Sequence, residues 1–453
     1  MGDFYCNSLL KLNIMRDDSN RLLELRNKVQ AEELLDLAKK RGIEDVEVYE
    51  VRSHSKPISF EANRLKQIES SQGGGVALRL WRNGCPGLAV AYGDFDGNDL
   101  VDKALAISAL NDAETPLLNG ENRLVFPEKD IDVDINSLIE KGQGAIALLR
   151  ETHPDIICNL DLEWETETST LINSRGLYCH HSDTTFSASV GVEWVREDDF
   201  LGIYDGIYDN ETLNLDKIIK NIQQRLRWAE NQGIVKPRPL PVLFTPNAVV
   251  SLWETVSDAL NGKRIVDKSS PWHDSHGKEV MASCLTISQN PHLKPYDCPF
   301  DDEGALTQHY KLIDGGKISN FYCDQKNANK LGINNTGNGF RPSLGSYPSP
   351  SLVNFVVGGG NTSFDKLIEN IEYGLMVDQF LGNDADISGD FSLNVDLGYL
   401  VEKGEVMGRV KDTMISGNIY QLLQRVRDLG NDNIWSGSCY TPSMVIDGVS
   451  VTN

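Results

Sequence analysis

The feature of this sequence that most limits its fold is a series of short runs in which apolar and polar residues alternate. The clearest pair is VALRLW (76–81) and LAVAYG (88–93), which flank the dipeptide Asn83-Gly84. An Asn-Gly turn between two such runs is the strongest short-range signal of a β-hairpin. These runs therefore predict antiparallel strands in the first part of the chain. Similar runs occur at 46–51, 58–62 and 65–70.

Helical patterns are interspersed among the strand patterns, without a one-to-one βαβ alternation. A second group of strand patterns covers 155–196, with a turn at 173–176. Beyond about residue 280 the pattern is mostly strands and glycine-containing turns. The sequence therefore predicts an α+β fold in two parts, each with mostly antiparallel sheet and flanking helices, the C-terminal part being strand-rich. The predicted helices cover 27–40, 98–111, 136–152, 211–231, 245–262, 364–380 and 417–428.

A proline-rich segment divides the chain near its middle. The segment VKPRPLPV (235–242) has three prolines in eight residues and is typical of a domain boundary. The chain has 453 residues, enough for two or three domains. We therefore predict an N-terminal extension (1–27), an N-terminal α+β domain (28–234) and a C-terminal domain (235–453).

The charge of the chain limits its partners. Its formal net charge is −23, from 43 Lys and Arg against 66 Asp and Glu. Nucleic acids and anionic membranes require a basic surface, so neither is expected as a partner. No secretory signal and no apolar run of membrane-spanning length is visible, and the eight cysteines are scattered without a Cys-x-x-Cys pair. These features predict a cytoplasmic protein with free thiols.

No complete active site emerges from the residues alone. His273 and His276 have a spacing that could supply half of a metal site, but they lie in a loop bounded by Pro and Gly with no third ligand nearby in sequence. A solvated loop is the alternative explanation for both. No G-x-S-x-G element occurs, which removes the commonest signature of serine hydrolases.

An ordered set of motifs resembles the TldD/PmbA family, whose members were once called modulators of DNA gyrase and are regarded as peptidases. The similarity extends over almost the whole chain from about residue 28, and is clearest in the C-terminal half. The resemblance implies a role in processing unfolded or flexible peptides. The motifs are FDDEG (300–304), NTGNGFRP (335–342), SGDFSLNVDLGYLVEKGEV (388–406), ISGNI (415–419), LGNDN (429–433) and TPSMVIDGVSV (441–451).

The family has two branches, which differ in a zinc motif on a helix. TldD-type members have His-Glu-x-x-x-His, whereas TldE (PmbA)-type members lack it and pair with TldD. In the matching segment, LWETVSDALNGK, Trp253 and Asp258 stand at the two His positions and Glu254 keeps the Glu position. Zinc peptidases need the imidazoles as ligands and the Glu to activate water. The resemblance therefore implies no catalytic residue and no metal in this chain, with zinc in a partner subunit.

TldD-type members also supply a Cys ligand after the GND motif. Cys439 lies in a comparable place, and a structural thiol is the alternative explanation. By resemblance we expect the TldE-like subunit of a TldD/TldE-type heterodimeric metallopeptidase, active only with its partner. In such a complex the peptide would lie in a cleft between the two subunits. The alternative is a catalytically inactive homodimer that binds or regulates peptides.

Two residues of NTGNGFRP are candidates for binding the peptide substrate. Asn338 and Arg341 lie on a segment rich in glycine, and Arg341 could hold a carbonyl or carboxylate group through its guanidinium. The alternative is an internal ion pair between Arg341 and one of the acidic residues Asp301, Asp302 or Glu303.

Overall fold

The computed structural model describes residues 31–126, 133–196, 199–382 and 385–453. The predicted N-terminal extension lies outside the described residues. No helix in these four ranges is long and apolar enough to cross a membrane.

Nine α-helices are present in the described ranges, most of them short. Apolar residues of each longer helix lie on one side and are buried, as expected for amphipathic helices that cover a sheet. The helices are α1 (Ala31–Lys40), α2 (Gly97–Ser108), α3 (Ile135–Thr152), α4 (Asp216–Trp228), α5 (Pro246–Ala259), α6 (Gly262–Val266), α7 (Gln325–Leu331), α8 (Phe364–Glu369) and α9 (Ile419–Leu422).

The first eight strands form one sheet, which we call the N-terminal sheet. Its order is β4-β3-β1-β6-β7-β5, with β2 also pairing with β1 and β8 with β7. All pairings are antiparallel except that of β5 with β7. The strands are β1 (Asp45–Glu61), β2 (Arg64–Ile68), β3 (Ser71–Arg82), β4 (Cys85–Tyr92), β5 (Asn122–Val125), β6 (Ile157–Asn173), β7 (Leu177–Arg196) and β8 (Asp199–Asp209).

The C-terminal part contains a ring of strands. The order is β16-β9-β23-β19-β17, and β17 pairs back with β16, so the ring closes. In addition, β18 pairs with β17 and β20 with β23. These strands are β9 (Arg238–Phe244), β16 (Tyr373–Leu381), β17 (Asp390–Glu402), β18 (Glu405–Arg409), β19 (Met414–Asn418), β20 (Val426–Leu429) and β23 (Met444–Thr452).

A third sheet lies beside this ring and has the order β12-β11-β10-β15-β22-β21. Helix α5 contacts both the ring and this third sheet, so it lies between them. The strands are β10 (Ile287–Gln289), β11 (Tyr310–Asp314), β12 (Lys317–Ile318), β15 (Phe355–Val357), β21 (Ile434–Ser436) and β22 (Cys439–Thr441); β13 (Gly339–Phe340) and β14 (Ser349–Pro350) form a separate pair.

The hydrophobic cores join the two parts of the chain. One core lies among α5, the ring and the third sheet. A second contains Leu160 and Val192 of the N-terminal sheet together with Met376 and Tyr399 of the ring. Burying apolar surface from both parts in one core stabilises their contact.

The α+β prediction is confirmed, and several element predictions need correction. The predicted helix at 364–380 is wrong after Glu369, because Tyr373–Leu381 is strand β16. The predicted helix at 417–428 is only the single turn α9, followed by a short 3₁₀ turn and β20. Gly262 does not end helix α5; the helix ends at Ala259 and Gly262 begins α6. The domain boundary near residue 235 stays a prediction.

Candidate functional site

The N-terminus of helix α5 is held by a buried charge network. Thr245 is the N-cap residue of the helix, and its side chain makes no capping hydrogen bond. Its hydroxyl instead donates to Asp378 over 2.8 Å. Asp378 and Asp205 both pair with Arg225, at 3.1 and 2.7 Å. The helix that carries the degenerate motif is thereby tied to α4 and to β8 of the N-terminal sheet.

Trp253 is buried where the first His of a zinc motif is expected. Its side chain is 1% exposed, and its ring packs against Phe355, with ring centroids 6.0 Å apart. The indole Nε1 donates a hydrogen bond to Thr441 Oγ1 over 2.9 Å. Since the only polar atom of the ring is paired, Trp253 is a satisfied core residue.

Cys439 lies beside the same helix, on β22. Strand β22 pairs with β15 so that Cys439 is opposite Phe355, the residue on which Trp253 packs. Burial raises the pKa of the Cys439 thiol, and the negative charge of Glu254 raises it further. Cys439 is 1% exposed and packs as a buried thiol.

The remaining motif residues do not complete a metal site. Asp258 forms an ion pair with Arg264 of α6. His273 Nδ1 bonds with the Ser270 carbonyl over 3.0 Å, and His276 Nε2 with the Ser319 carbonyl over 2.9 Å. In the four described ranges no three His, Cys, Asp or Glu side chains are grouped so that they could hold a metal ion. The side chains present do not fit a catalytic zinc.

Asn338 is fully buried and is held by four hydrogen bonds. Its amide nitrogen donates to Gln289 Oε1 over 2.6 Å and to the Ser351 carbonyl over 2.7 Å. Its amide oxygen accepts from the hydroxyls of Tyr310 and Thr336, each over 2.8 Å. This amide therefore joins several loops of the C-terminal part.

Arg341 is 2% exposed and contacts the N-terminal sheet. Its guanidinium donates to Glu47 Oε1 over 2.5 Å and to the Ser346 carbonyl over 3.0 Å. Its backbone N–H donates to Asp302 Oδ2 of the acidic cluster over 2.7 Å. The internal ion pair considered from the sequence exists, but its partner is Glu47. Substrate binding by Asn338 and Arg341 stays a prediction.

Glu47 and Arg79 are the members of this cluster that the sequence interpretation missed. Glu47 is 1% exposed and accepts from both Arg341 and Arg79, the latter over 2.9 Å. Both residues lie inside strand patterns, VEVYEV and VALRLW, whose neighbours are apolar. A charged residue at a buried strand position requires a partner, and this was the available signal.

The segment FDDEG forms a tight turn below Arg341. The Asp301 carboxylate accepts from the backbone N–H groups of Glu303, Ala305 and Gly339, at 2.8–3.0 Å. Burial raises the pKa of Glu303 to about 7. The turn positions Gly339 and Arg341 and so links two of the family-like motifs.

An aromatic row connects the N-terminal sheet with the surroundings of Cys439. Tyr208 on β8 contacts Tyr296, with ring centroids 5.8 Å apart. Tyr296 contacts Trp435 at 5.2 Å, and Trp435 contacts Tyr440 at 5.1 Å. All four side chains are partly exposed. The row therefore ends next to the buried Trp253 and Cys439.

Family models match both parts of the chain. A PmbA/TldA metallopeptidase C-terminal domain matches residues 237–453, and a PmbA/TldA metallopeptidase domain 1 matches residues 46–108. The chain belongs to the TldD/PmbA family. The motifs discussed above from FDDEG to the C-terminal strand all lie within the first of these matches.

Relatives extend the similarity along the chain. An uncharacterized protein of Methanocaldococcus jannaschii is 25% identical over 430 residues, covering 92% of this chain and 98% of the relative. Metalloprotease PmbA of Escherichia coli O157:H7 is 30% identical over 216 residues, which is 46% of each chain.

Solved structures share the fold. TldE from Thermococcus kodakarensis superposes with a TM-score of 0.85 at 23% identity, covering 93% of this chain and 99% of that one. A Thermotoga maritima protein described as a gyrase modulator gives a TM-score of 0.83 at 22% identity, with the same coverage.

Proposed function

We propose that this chain is the TldE/PmbA-like subunit, which itself binds no zinc, of a TldD/TldE-type zinc metallopeptidase complex that processes unfolded or flexible peptides. The observation that carries the proposal is the environment of Trp253. On the motif helix, the position of the first zinc-binding His is occupied by Trp253, whose indole is buried and paired with Thr441. This position therefore offers no imidazole to bind zinc.

The surroundings of Glu254 support the same proposal. A Glu in this family motif activates a water that is bound to zinc. Without the metal, nothing lowers the pKa of a water beside Glu254. The neighbouring thiol of Cys439 is held neutral and buried, so it offers no alternative nucleophile. Catalysis is therefore expected to depend on a partner with an intact His-Glu-x-x-x-His motif.

We place the complex in the cytoplasm. The seven cysteines within the described ranges are all free thiols, which suits a reducing compartment. The chain has relatives of both types, named Metalloprotease PmbA and Metalloprotease TldD homolog, and this supports a pairing of the two types of subunit.

Co-expression with a TldD-type chain from the same genome tests the proposal. The two chains should copurify, and the pair should cleave a flexible, internally quenched peptide that this chain alone leaves intact. Replacing the motif Glu of the partner by Gln should abolish cleavage, whereas Glu254→Gln in this chain should not.

The alternative function gives a different result in the same experiment. A peptide-binding or regulatory homodimer would purify without the TldD-type chain and would show twice the monomer mass in solution. Cleavage that persists without any TldD-type chain would contradict both functions.

A further inference from the structure

One face of the N-terminal sheet is only partly covered by the rest of the chain. Successive side chains of a strand point to opposite faces, so the odd-numbered and even-numbered residues of β6 lie on opposite faces of the sheet. One face carries Leu160, Leu162, Val190 and Val192, which are buried in the core with helices α3 and α4. The other face, which we call the open face, is built from Ile157, Glu163, Glu165, Glu167, Asp183, Thr185, Ser187, Val195, Phe200, Tyr204 and Tyr208.

The outer end of the open face is apolar. Val195 and Phe200 are directly opposite each other on β7 and β8 and are 59% and 56% exposed. Ile157 and Tyr204 on the same face are 37% and 48% exposed. Several large apolar side chains left exposed together on one face are typical of a surface that binds another chain.

The middle of the open face carries a stripe of carboxylates. Glu163, Glu165 and Glu167 occupy alternate positions of β6 and therefore point the same way, roughly 6.6–6.8 Å apart. The residues opposite them on β1 and β7 include no Lys or Arg. These opposing residues are Ser53, Ser55, Pro57, Asp183, Thr185 and Ser187.

The charges of this stripe are poorly compensated. Burial raises the pKa of Glu165 to about 7, and the charge of Glu163 adds to the effect. Burial together with the charges of Glu165, Asp302 and Asp183 raises the pKa of Glu167 to about 8. A cation placed over the stripe would favour the ionised form of these glutamates and would be attracted by their negative charge.

The stripe also joins the candidate site. Ser187 on β7 is opposite Tyr208 on β8, and Tyr208 begins the aromatic row that leads to Tyr440. The faces of such rings attract cationic side chains. Apolar, acidic and aromatic surfaces therefore follow one another from the outer end of the sheet to the surroundings of Cys439.

We infer that the open face binds an extended peptide segment with Lys or Arg at alternate positions, so that the complex prefers cationic flexible substrates. The inference rests on the proposed function and adds the substrate class to it. A strand-like peptide repeats its side-chain direction every 6.6–6.8 Å, the spacing of the three glutamates. Its basic side chains lie over the stripe, and apolar side chains that point the same way, farther along the peptide, contact the outer end near Phe200.

Peptide binding to the full chain tests the inference. The probe is a fluorescein-labelled decapeptide with Ser at every second position, in which the five other positions carry Lys three times and then Val twice. It is compared by fluorescence anisotropy with the counterpart that has Glu in place of Lys. The variant Glu163→Gln/Glu165→Gln/Glu167→Gln should bind the cationic peptide about tenfold more weakly. The control, Glu32→Gln/Glu33→Gln/Asp36→Asn on exposed α1, removes three carboxylates outside the stripe and should stay within about twofold.

The apolar end has its own variant. Phe200→Ser removes an exposed ring without opening the core, so the thermal midpoint should stay near the parent value. Its affinity for the cationic peptide should fall about threefold.

Three results would overturn the inference. Equal loss in the control variant would mean that bulk charge alone attracts the peptide. Equal binding of the anionic peptide would remove the preference. Loss of assembly with the TldD-type chain in the stripe variant, with unchanged peptide binding, would assign the open face to the partner. Because binding is measured on this chain alone and cleavage on the pair, failure of assembly contradicts the proposed function and leaves the binding result interpretable.

Discussion

Two buried clusters of polar side chains lie in this molecule, and they are stabilised in opposite ways. Around Trp253 and Cys439 the polar atoms are neutral: an indole N–H is paired with Thr441, and the thiol stays protonated. Around Glu47 and Arg341 the side chains are charged and bridge the N-terminal sheet to the C-terminal part. The stability of a neutral cluster depends on how closely its side chains pack. The stability of a charged cluster depends on every charged partner being present.

The largest effect is expected from Trp253→Ala. It removes a side chain that is 1% exposed in the core between α5 and β15, and should cost about 3–5 kcal/mol of unfolding free energy. Chemical denaturation measures the loss. Trp253→Phe is the matched control, because it keeps an aromatic ring while losing the bond to Thr441 and part of the ring volume, and it should cost less than Trp253→Ala. Unchanged stability of Trp253→Ala would contradict a core role.

Arg341→Lys tests the charged cluster with a smaller change. Lys keeps the positive charge but loses the planar fork that contacts Glu47 and the Ser346 carbonyl together. The unfolding free energy should fall by about 1–3 kcal/mol. Cleavage by the reconstituted pair should fall only in proportion to the folded fraction. Reduced cleavage at unchanged thermal stability would instead support the substrate-binding prediction for Arg341.

Dependence on pH should distinguish the carboxylate stripe of the open face from these two clusters. The pKa of Glu167 is raised to about 8 in the fold, from a model-peptide value of about 4.5, so the folded state binds more protons between these values. The stabilising contribution is therefore complete below about pH 4.5 and is lost as pH rises towards 8. Glu167→Gln should be more stable than the parent at pH 8, where the buried carboxyl of the parent must ionise, and equally stable at pH 4. Equal differences at both pH values would contradict this assignment.

The smallest expected effect is the absence of zinc. Protein purified metal-free, soaked with zinc and desalted should retain no stoichiometric metal by elemental analysis, because Trp253 and Asp258 replace both imidazoles. About one tightly held zinc per chain would contradict the prediction. It would direct attention to His273, His276 or Cys439.

Local signals predicted the parts of the fold that depend on neighbouring residues. Asn83 and Gly84 have positive φ angles of 54° and 80° in the β3–β4 turn, as a tight hairpin requires. By contrast, residues 373–380 were predicted as helix and lie in strand β16. Its residues 375–377 pair with β9, more than a hundred residues earlier, and this partner is invisible in a local pattern.

The candidate site was predictable to a similar extent. The resemblance to the zinc motif indicated Trp253, and the resemblance of the segment after the GND motif indicated Cys439. The pairing of Glu47 with Arg341 could not be predicted, because these residues are 294 positions apart in the chain. Only the fold determines which charges meet across such a separation.

The closed ring of strands also constrains how the chain reaches its structure. Val242 of β9 pairs with Ile446 of β23, about two hundred residues later. The ring therefore cannot close on the ribosome until β23 has been synthesised, and contacts of such long range slow folding. Until then the apolar strands β9 and β16 remain available to chaperones and proteases, so quality control in the cell can act longest on this part of the molecule.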